Sequence, residues 1–194
     1  PALILADGAI GQMMEKVVLP EAMEYKPNKP WATTGKTKDR DRNFITSLYI
    51  KSEDMEKKNI KLQEKYSEIE EKEVRFEDYK LDDAEIILVS YGLSSRTSKK
   101  VVDLARDKGI KMGLLRPITL WPFPKKEIER LSKKDSTKFF LSVEMSVGQM
   151  VEDVKLNVNG RKPVYMYGRT GGIIMTPEEI LEYVEKKKQE GGES

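Results

Sequence analysis

Five short segments of this sequence carry residue types that could bind a ligand or do chemistry. Each begins where an apolar, β-rich run gives way to glycine, proline or a helix-start residue: 7–11 (DGAIG), 91–96 (YGLSSR), 115–124 (LRPITLWPFP), 143–153 (VEMSVGQMVED) and 168–172 (GRTGG). The chain has no cysteine and no histidine, which excludes disulfides, thiolate nucleophiles, Ser-His-Asp triads and histidine metal sites. Any chemistry must therefore rest on carboxylates, amines, guanidinium groups, phenols, hydroxyls, backbone amides or a borrowed cofactor.

Two of these segments are candidates for binding an anion. Gly92 and Ser94 lie between a predicted strand and a predicted helix, where the free amides of the helix start, helped by Arg96, could hold a phosphate. Gly171 and Gly172 follow another strand and could form a nest of backbone amides for the same purpose. An ordinary capped helix start and a flexible turn are the alternatives, so both segments are weak candidates.

Three of the segments present residues suited to a protein interface. Arg116, Trp121 and Phe123 lie on a loop stiffened by three prolines, and tryptophan, phenylalanine and arginine are frequent interface anchors. A rigid loop also loses little conformational entropy on binding. Local packing of this loop under its own helix is the alternative. Glu144 ends a buried strand and either faces a site or forms a buried salt bridge with Arg116 or Arg169. Arg169 could also supply the counter-charge at the nest formed by Gly171 and Gly172.

These segments are positioned by a repeating strand–helix pattern. Strands are predicted at 84–90, 110–115, 137–142 and 163–167, and helices at 94–107, 125–133, 147–158 and 177–188. This alternation predicts an α/β three-layer sandwich, in which helices cover both faces of a mainly parallel sheet. Right-handed crossovers place all the loops that follow strands at one edge of the sheet, where ligands and partners bind.

The part of the chain before this domain differs in character. The apolar run 1–6 predicts a buried strand, 7–11 a tight turn and 11–18 a short helix. Such a strand needs neighbours, and we expect the chain to be the C-terminal piece of a longer polypeptide, or a trimmed one. Segment 21–82 begins as a linker and continues as an amphipathic helix over 44–72. That helix either lies over another part of the protein or is a solvated spacer.

Composition narrows the class of protein further. The chain is 38% hydrophobic and 35% charged, with a net charge of +2, so no excess of positive charge indicates binding to nucleic acid or to an acidic membrane surface. No apolar run is long enough to cross a membrane, and the sequence shows no pattern typical of a signal peptide. High charge of both signs without cysteine favours a cytoplasmic protein from a hot environment.

Long strings of this sequence resemble the alpha subunit of 2-oxoacid:ferredoxin oxidoreductases, most closely the branched-chain, 2-oxoisovalerate type. The strings are 7–15 (DGAIGQMME), 29–32 (KPWA), 116–124 (RPITLWPFP), 143–153 (VEMSVGQMVED) and 167–172 (YGRTGG). The resemblance implies the end of a pyrimidine-binding domain at 1–20, a linker with a long helix at 21–82, and a transketolase C-terminal-like domain at 83–194.

The resemblance also implies an activity. The family decarboxylates 2-oxoacids oxidatively on thiamine diphosphate, makes acyl-CoA and passes electrons through iron–sulfur clusters to ferredoxin. Thiamine diphosphate, magnesium, the clusters and coenzyme A are then implied for the whole complex and none is expected on this chain. The implied partners are beta, gamma and ferredoxin-like delta subunits, ferredoxin as acceptor, and further copies of the chain.

The family's catalytic groups would lie before Pro1 or on other subunits, so the resemblance assigns no catalytic residue here, and the chain alone is expected to be inactive. It makes Arg116, Trp121, Phe123, Glu144 and Arg169 candidates for subunit contacts or for the mouth of the thiamine site. Two alternatives stay open. One is a phosphate- or coenzyme A-binding module, and the other is the C-terminal domain of another transketolase-type thiamine enzyme.

Overall fold

The computed structural model describes residues 2–24 and 28–190 of the chain. These form helices α1 (Gly8–Gln12), α2 (Ser52–Lys72), α3 (Gly92–Asp107), α4 (Lys125–Ser132), α5 (Met150–Val158) and α6 (Pro177–Glu190), and strands β1 (Phe76–Tyr79), β2 (Ile86–Val89), β3 (Met112–Pro117), β4 (Phe139–Glu144) and β5 (Val164–Gly168). The chain divides into two compact units. One comprises residues up to Met13 together with those from Ile69 onward, and the other runs from Met14 to Glu68.

The first unit is built on a 5-stranded sheet in the order β1-β3-β2-β4-β5. Strands β2 to β5 pair in parallel, and β1 pairs antiparallel with β3 at one side. Successive strand residues point to opposite faces of a sheet. Ile86 and Leu88 therefore pack with α3 and α6, while Ile87 and Val89 pack with α4 and α5. This arrangement confirms the predicted α/β three-layer sandwich.

Local sequence signals explain several element boundaries. At the start of α6, the Thr176 amide donates to the Glu179 carboxylate at 3.0 Å and the Glu179 amide donates to the Thr176 hydroxyl at 3.3 Å, which is the reciprocal capping that the sequence indicates. Inside β3, a Cβ on Gly113 would lie 2.6 Å from the Lys80 carbonyl oxygen. Only glycine lets the turn after β1 pack this closely on the sheet.

The structure differs from the predictions for the first twenty residues. Residues 2–6 form no strand, and their large side chains are exposed, from 66% for Leu5 to 88% for Ile4. A strand needs a hydrogen-bonding neighbour, and none of the strands in the described residues pairs with this run. The helix predicted at 11–18 is instead the single turn of α1, which begins at Gly8 because Asp7 caps it. The predictions for Pro1, 25–27 and 191–194 lie outside the described residues.

The predicted long helix is shorter than expected, and one strand was missed. Helix α2 begins at Ser52 and buries none of its residues. Just before it, the Thr46 hydroxyl accepts the Leu48 amide at 3.1 Å, a local bond that competes with helix formation. Strand β1 lies in the range predicted as linker and helix. The domain boundaries at 20 and 82 stay predictions. None of the described helices is long and apolar enough to cross a membrane.

A candidate functional site at the carboxyl edge of the sheet

The loops that follow β2, β3, β4 and β5 lie along one edge of the sheet, called here the carboxyl edge. They comprise residues 90–91, 118–124, 145–149 and 169–176. Arg169 is the one charged residue among them. The direction of the strand order reverses between the neighbouring strands β2 and β4. The connection after β2 leads to β3 on one side of this pair, and the connection after β4 leads to β5 on the other side. Ligands and partners of open α/β sheets bind at such a crossover, so this edge is the candidate site.

Glu144 is the central polar group of the carboxyl edge. It ends β4 and is 2% exposed. Its carboxylate accepts the backbone amides of Gln149, Met150 and Val151 at 2.9, 3.0 and 2.8 Å. It also accepts two hydroxyl groups, that of Ser142 at 2.8 Å and that of Ser146 at 3.0 Å. The carboxylate thus satisfies the free amides at the start of α5.

These bonds determine the charge state of Glu144. Burial raises its pKa, but the hydrogen bonds donated by the Gln149 amide, the Ser142 hydroxyl and the next two amides hold the pKa below its ordinary value. Burial also raises the pKa of Tyr91 in the neighbouring loop, with a further contribution from the negative charge of Glu144. Glu144 is therefore an ionised structural group whose oxygens are already in use, and it is poorly suited to proton transfer.

Glu144 therefore neither faces outward nor pairs with an arginine, contrary to both expectations. Arg116 donates to Glu77 on β1 at 2.9 Å, and Arg169 lies 3.1 Å from Glu179 at the start of α6. The sequence could not reveal these pairings because β1 was not predicted and because helix amides took the place of a cation beside Glu144. In both arginines the Nε is buried and makes no hydrogen bond within the described residues.

The N-terminus of α3 is occupied by a residue distant in sequence. One carboxylate oxygen of Asp7 accepts the Ile10 amide of α1 at 2.7 Å, and the other accepts the Leu93 amide at 3.3 Å. A Cβ on Gly92, whose φ is +58°, would lie 3.3 Å from the second oxygen. Asp7 thus caps two helices at once. Sequence reasoning missed this role because the two partners are 86 residues apart.

The contact between Asp7 and the Leu93 amide leaves less room for an anion at the start of α3, the first of the two candidate anion sites. Ser94 is buried and Arg96 exposed, so these residues do not face one site, while the Leu93 amide beside Gly92 is taken by Asp7. At the other candidate, Gly171 and Gly172 adopt positive φ angles of +67° and +81° in an exposed turn. The Arg169 guanidinium is paired with Glu179 nearby.

The proline-rich loop divides into an outer and an inner side. Trp121 is 55% exposed, as an interface residue should be, whereas Phe123 is 5% exposed and packs in the core beside α4. The expectation that both aromatic rings project was thus wrong for Phe123, because its ring fills the space under the helix that follows. The loop is held by Thr119, whose hydroxyl donates to the Pro122 carbonyl at 2.7 Å and accepts the Arg75 amide at 3.0 Å.

The described residues contain no group of three or more histidine, cysteine, aspartate or glutamate side chains placed to hold a metal ion. The two helix starts that flank the crossover, those of α3 and α5, are occupied by the chain's own carboxylates, from Asp7 and Glu144. The starts of α3 and α5 are therefore already bound by carboxylates of the chain, and these two helix starts do not fit a diphosphate.

Comparison with known proteins identifies several similar chains. Residues 84–180 match the pyruvate:ferredoxin oxidoreductase core domain II. The chain is 46% identical over 195 residues to the ketoisovalerate oxidoreductase subunit VorB of Methanothermobacter marburgensis, covering 100% of this chain and 53% of the relative. VorB of Methanothermobacter thermautotrophicus is 44% identical over 95% of this chain and 51% of its own length. The chain thus spans about half the length of these relatives.

Two more distant similar proteins are also 2-oxoacid enzymes, and the chain again covers only part of each. The 2-oxoglutarate synthase subunit KorA of Methanothermobacter marburgensis is 30% identical over 93% of this chain and 55% of its own length. Among solved structures, a 2-oxoglutarate:ferredoxin oxidoreductase from Magnetococcus marinus superposes with a TM-score of 0.57 and 17% identity, over 71% of this chain and 24% of that chain. This structural likeness supports the α/β fold.

Proposed function

Because the chain belongs to the pyruvate:ferredoxin oxidoreductase core domain II family, we propose that it is part of a 2-oxoacid:ferredoxin oxidoreductase. The substrate is a branched-chain 2-oxoacid, 2-oxoisovalerate, which is decarboxylated oxidatively to an acyl-CoA while electrons pass to ferredoxin. The observation that carries this proposal is the 46% identity to a ketoisovalerate oxidoreductase subunit over the whole chain. The protein works in the cytoplasm with beta, gamma and ferredoxin-like delta subunits.

Within that enzyme, the chain supplies a framework and a subunit interface instead of catalytic groups. Two features support this role: the chain has no histidine or cysteine, and the buried carboxylate of Glu144 is fully used by α5. Thiamine diphosphate, magnesium, iron–sulfur clusters and coenzyme A are held elsewhere in the complex. Arg116, Trp121 and Arg169 lie at or beside the carboxyl edge and contribute to its contacts with other subunits.

The activity is tested on the complete subunit purified with its partner subunits. We expect coenzyme A-dependent reduction of ferredoxin with 2-oxoisovalerate, and slower reduction with pyruvate or 2-oxoglutarate. A preference for 2-oxoglutarate would contradict the substrate assignment. Absence of reduction with every 2-oxoacid, from a complex that contains its thiamine diphosphate and clusters, would contradict the activity itself.

A module that binds phosphate or coenzyme A is the competing function. The positions of Asp7 and Glu144 at the helix starts argue against it, because an anionic ligand would meet a carboxylate at each place. Calorimetry with the isolated chain decides between the two: heat of binding with millimolar coenzyme A would favour the module. Reduction of NAD instead of ferredoxin by the full complex would favour the other rival, a different transketolase-type thiamine enzyme.

A further inference from the structure

The carboxyl edge exposes a set of large apolar side chains. They are Ile118 (50% exposed), Trp121 (55%), Val147 (86%), Ile173 (51%) and Ile174 (51%). Within residues 74–190, the other large hydrophobic residues that are exposed are Phe76 and Leu156. Monomeric proteins rarely expose contiguous apolar patches larger than roughly a few hundred Å², and patches above that size mark interaction sites.

The exposure does not come from loose loops. Each loop has a buried hydrophobic residue next to its exposed ones: Phe123 (5% exposed) near Trp121, Met150 (4%) near Val147, and Met175 (3%) beside Ile174. The loops are therefore anchored from below while their outer side chains point to solvent. A surface held in place before binding loses less conformational entropy when a partner arrives.

The topology places these loops in one row. Strands β3, β2, β4 and β5 are consecutive in the sheet, so the loops after β3 and β5 are separated by three strand spacings, about 14 Å. The loop after β4 lies between them. This length suits the apolar centre of a protein interface of ordinary size.

The two ends of the row carry arginines. Arg116 is the last but one residue of β3, beside one end of the row, and Arg169 directly follows β5 at the other end. Within the described residues, Arg116 pairs with Glu77 and Arg169 pairs with Glu179. A guanidinium group has five N–H donors, and the side chains of Arg116 and Arg169 are 36% and 41% exposed, so both can donate hydrogen bonds to oxygens of a partner.

We propose that this row, called here the carboxyl-edge surface, docks a partner subunit whose face is apolar at its centre and presents carboxylate or carbonyl oxygens to Arg116 and Arg169. The proposal rests on the proposed function in one respect: that function identifies the partner as another subunit of the oxidoreductase. A second copy of the same surface fits less well. A two-fold contact along this row would bring Arg116 of each copy toward Arg169 of the other, and like charges would face each other.

The variant Val147→Asp tests the surface on the complete subunit purified with its partner subunits. Val147 is almost fully exposed, so the change leaves the fold intact while placing a charge in the apolar centre. Leu156→Asp is the matched control, because Leu156 is 73% exposed and lies in the last turn of α5, toward the opposite edge. We expect Val147→Asp to weaken subunit association at least about tenfold, measured by sedimentation and native mass spectrometry, with no change for the control.

Trp121→Ala provides a second variant, with an expected weakening of at least about tenfold. Unchanged association in both variants, or an equal loss in Leu156→Asp, would overturn the proposal. A dimer of the isolated chain that Val147→Asp abolishes would also overturn it, since a second copy would then be the occupant. The outcome is independent of the activity test: a complex that needs Val147 for assembly but reduces no ferredoxin refutes the proposed function and leaves the docking surface standing.

Discussion

Two buried or half-buried glutamates at opposite edges of the same sheet are neutralised in different ways. At the amino edge, where the parallel strands begin, Glu85 lies 2.7 Å from Lys138 and 3.8 Å from Lys111, with all three side chains partly exposed. At the carboxyl edge, Glu144 is buried and its charge is balanced by three helix amides and two hydroxyls. The charge of Glu85 is thus balanced by flexible lysine side chains at the surface, whereas the charge of Glu144 is balanced by buried amide and hydroxyl dipoles.

The loops at the two edges also present different surfaces. The loops at the amino edge, 80–85, 108–111, 133–138 and 159–163, are dense in lysine, arginine, aspartate and glutamate, whereas the carboxyl-edge loops hold one charged residue. Because Asp7 and Glu144 already bind the helix starts at the carboxyl edge, the exposed side chains of its loops can be apolar. In a chain that is 35% charged, that contrast separates the side that faces water from the side suited to a protein partner.

The largest expected effect comes from filling the tight space under the carboxyl edge. In Gly168→Ala, the new Cβ would lie 2.3 Å from the Ser146 carbonyl oxygen and 2.5 Å from the Met166 methyl group. The backbone must shift where β5 meets the loop after β4, and we expect a loss of about 3 kcal/mol in the free energy of unfolding, measured by urea denaturation.

Gly160→Ala at the amino edge is the control. Its Cβ meets nothing within 4 Å, and the φ of +70° is the remaining source of strain, which costs about 1 kcal/mol. Equal losses in the two variants would mean that the close packing under the carboxyl edge contributes nothing to stability beyond backbone conformation.

The second effect concerns the charge at each edge. Glu144→Gln removes the negative charge and turns a donor NH₂ toward the amides at the start of α5, so we expect a loss of about 2 kcal/mol. Glu85→Gln breaks only surface ion pairs and should cost about 0.5 kcal/mol. Thermal and urea unfolding of both variants would show whether the loss in the free energy of unfolding is larger for Glu144→Gln than for Glu85→Gln.

Acid provides an independent check on Glu144. Its pKa is held below the ordinary value of 4.5, so its contribution to stability is complete above that pH and is lost as the pH falls through the folded-state pKa. The difference in stability between the wild type and Glu144→Gln should therefore shrink on acidification below about pH 4.5. A difference that stays constant down to pH 2 would show that the charge is not what stabilises the helix start.

The residues of the carboxyl edge also show how far sequence reasoning can go. The alternation of strands and helices predicted the sheet, and the Thr176–Glu179 pair predicted the start of α6, because both signals are local and repeated. The surroundings of Glu144, Arg116 and Leu93 were not predicted. Each depends on a partner placed by the fold: the start of α5, the antiparallel β1 and the distant Asp7.

Strand β1 was missed for a physical reason. It is four residues long, with two acidic residues in the middle and only Tyr79 half-buried, so it lacks the alternating or continuous apolar pattern of a strand. Phe123 was misplaced for a related reason, since proline fixes a loop's stiffness but not which of its aromatic rings turns inward. The sequence thus predicted which loops lie together at one edge of the sheet, but not which of their side chains point inward.

A smaller effect is expected at Asp7, which joins the carboxyl edge to α1. Asp7→Ala removes the acceptor for both the Ile10 and the Leu93 amides, at a cost of about 1 kcal/mol. Hydrogen exchange at these two amides should accelerate together, while Asp7→Asn, which keeps one oxygen, should release only one of them. Faster exchange at Ile10 alone in Asp7→Ala would show that the bond to α3 carries no stability.

The smallest expected effect is a difference in how salt changes the stability losses of Glu85→Gln and Glu144→Gln. Because Glu85, Lys111 and Lys138 are partly exposed, 1 M sodium chloride, with a screening length of about 3 Å, should remove most of the 0.5 kcal/mol or so lost in Glu85→Gln. The loss in Glu144→Gln should persist in the same salt, since its carboxylate is bound to amides that solvent ions do not reach. Urea unfolding of both variants at low and high salt measures the two differences. If salt reduced both equally, Glu144 would be as accessible to ions as a surface group, and the distinction between an edge built on mobile charges and one built on fixed dipoles would fail.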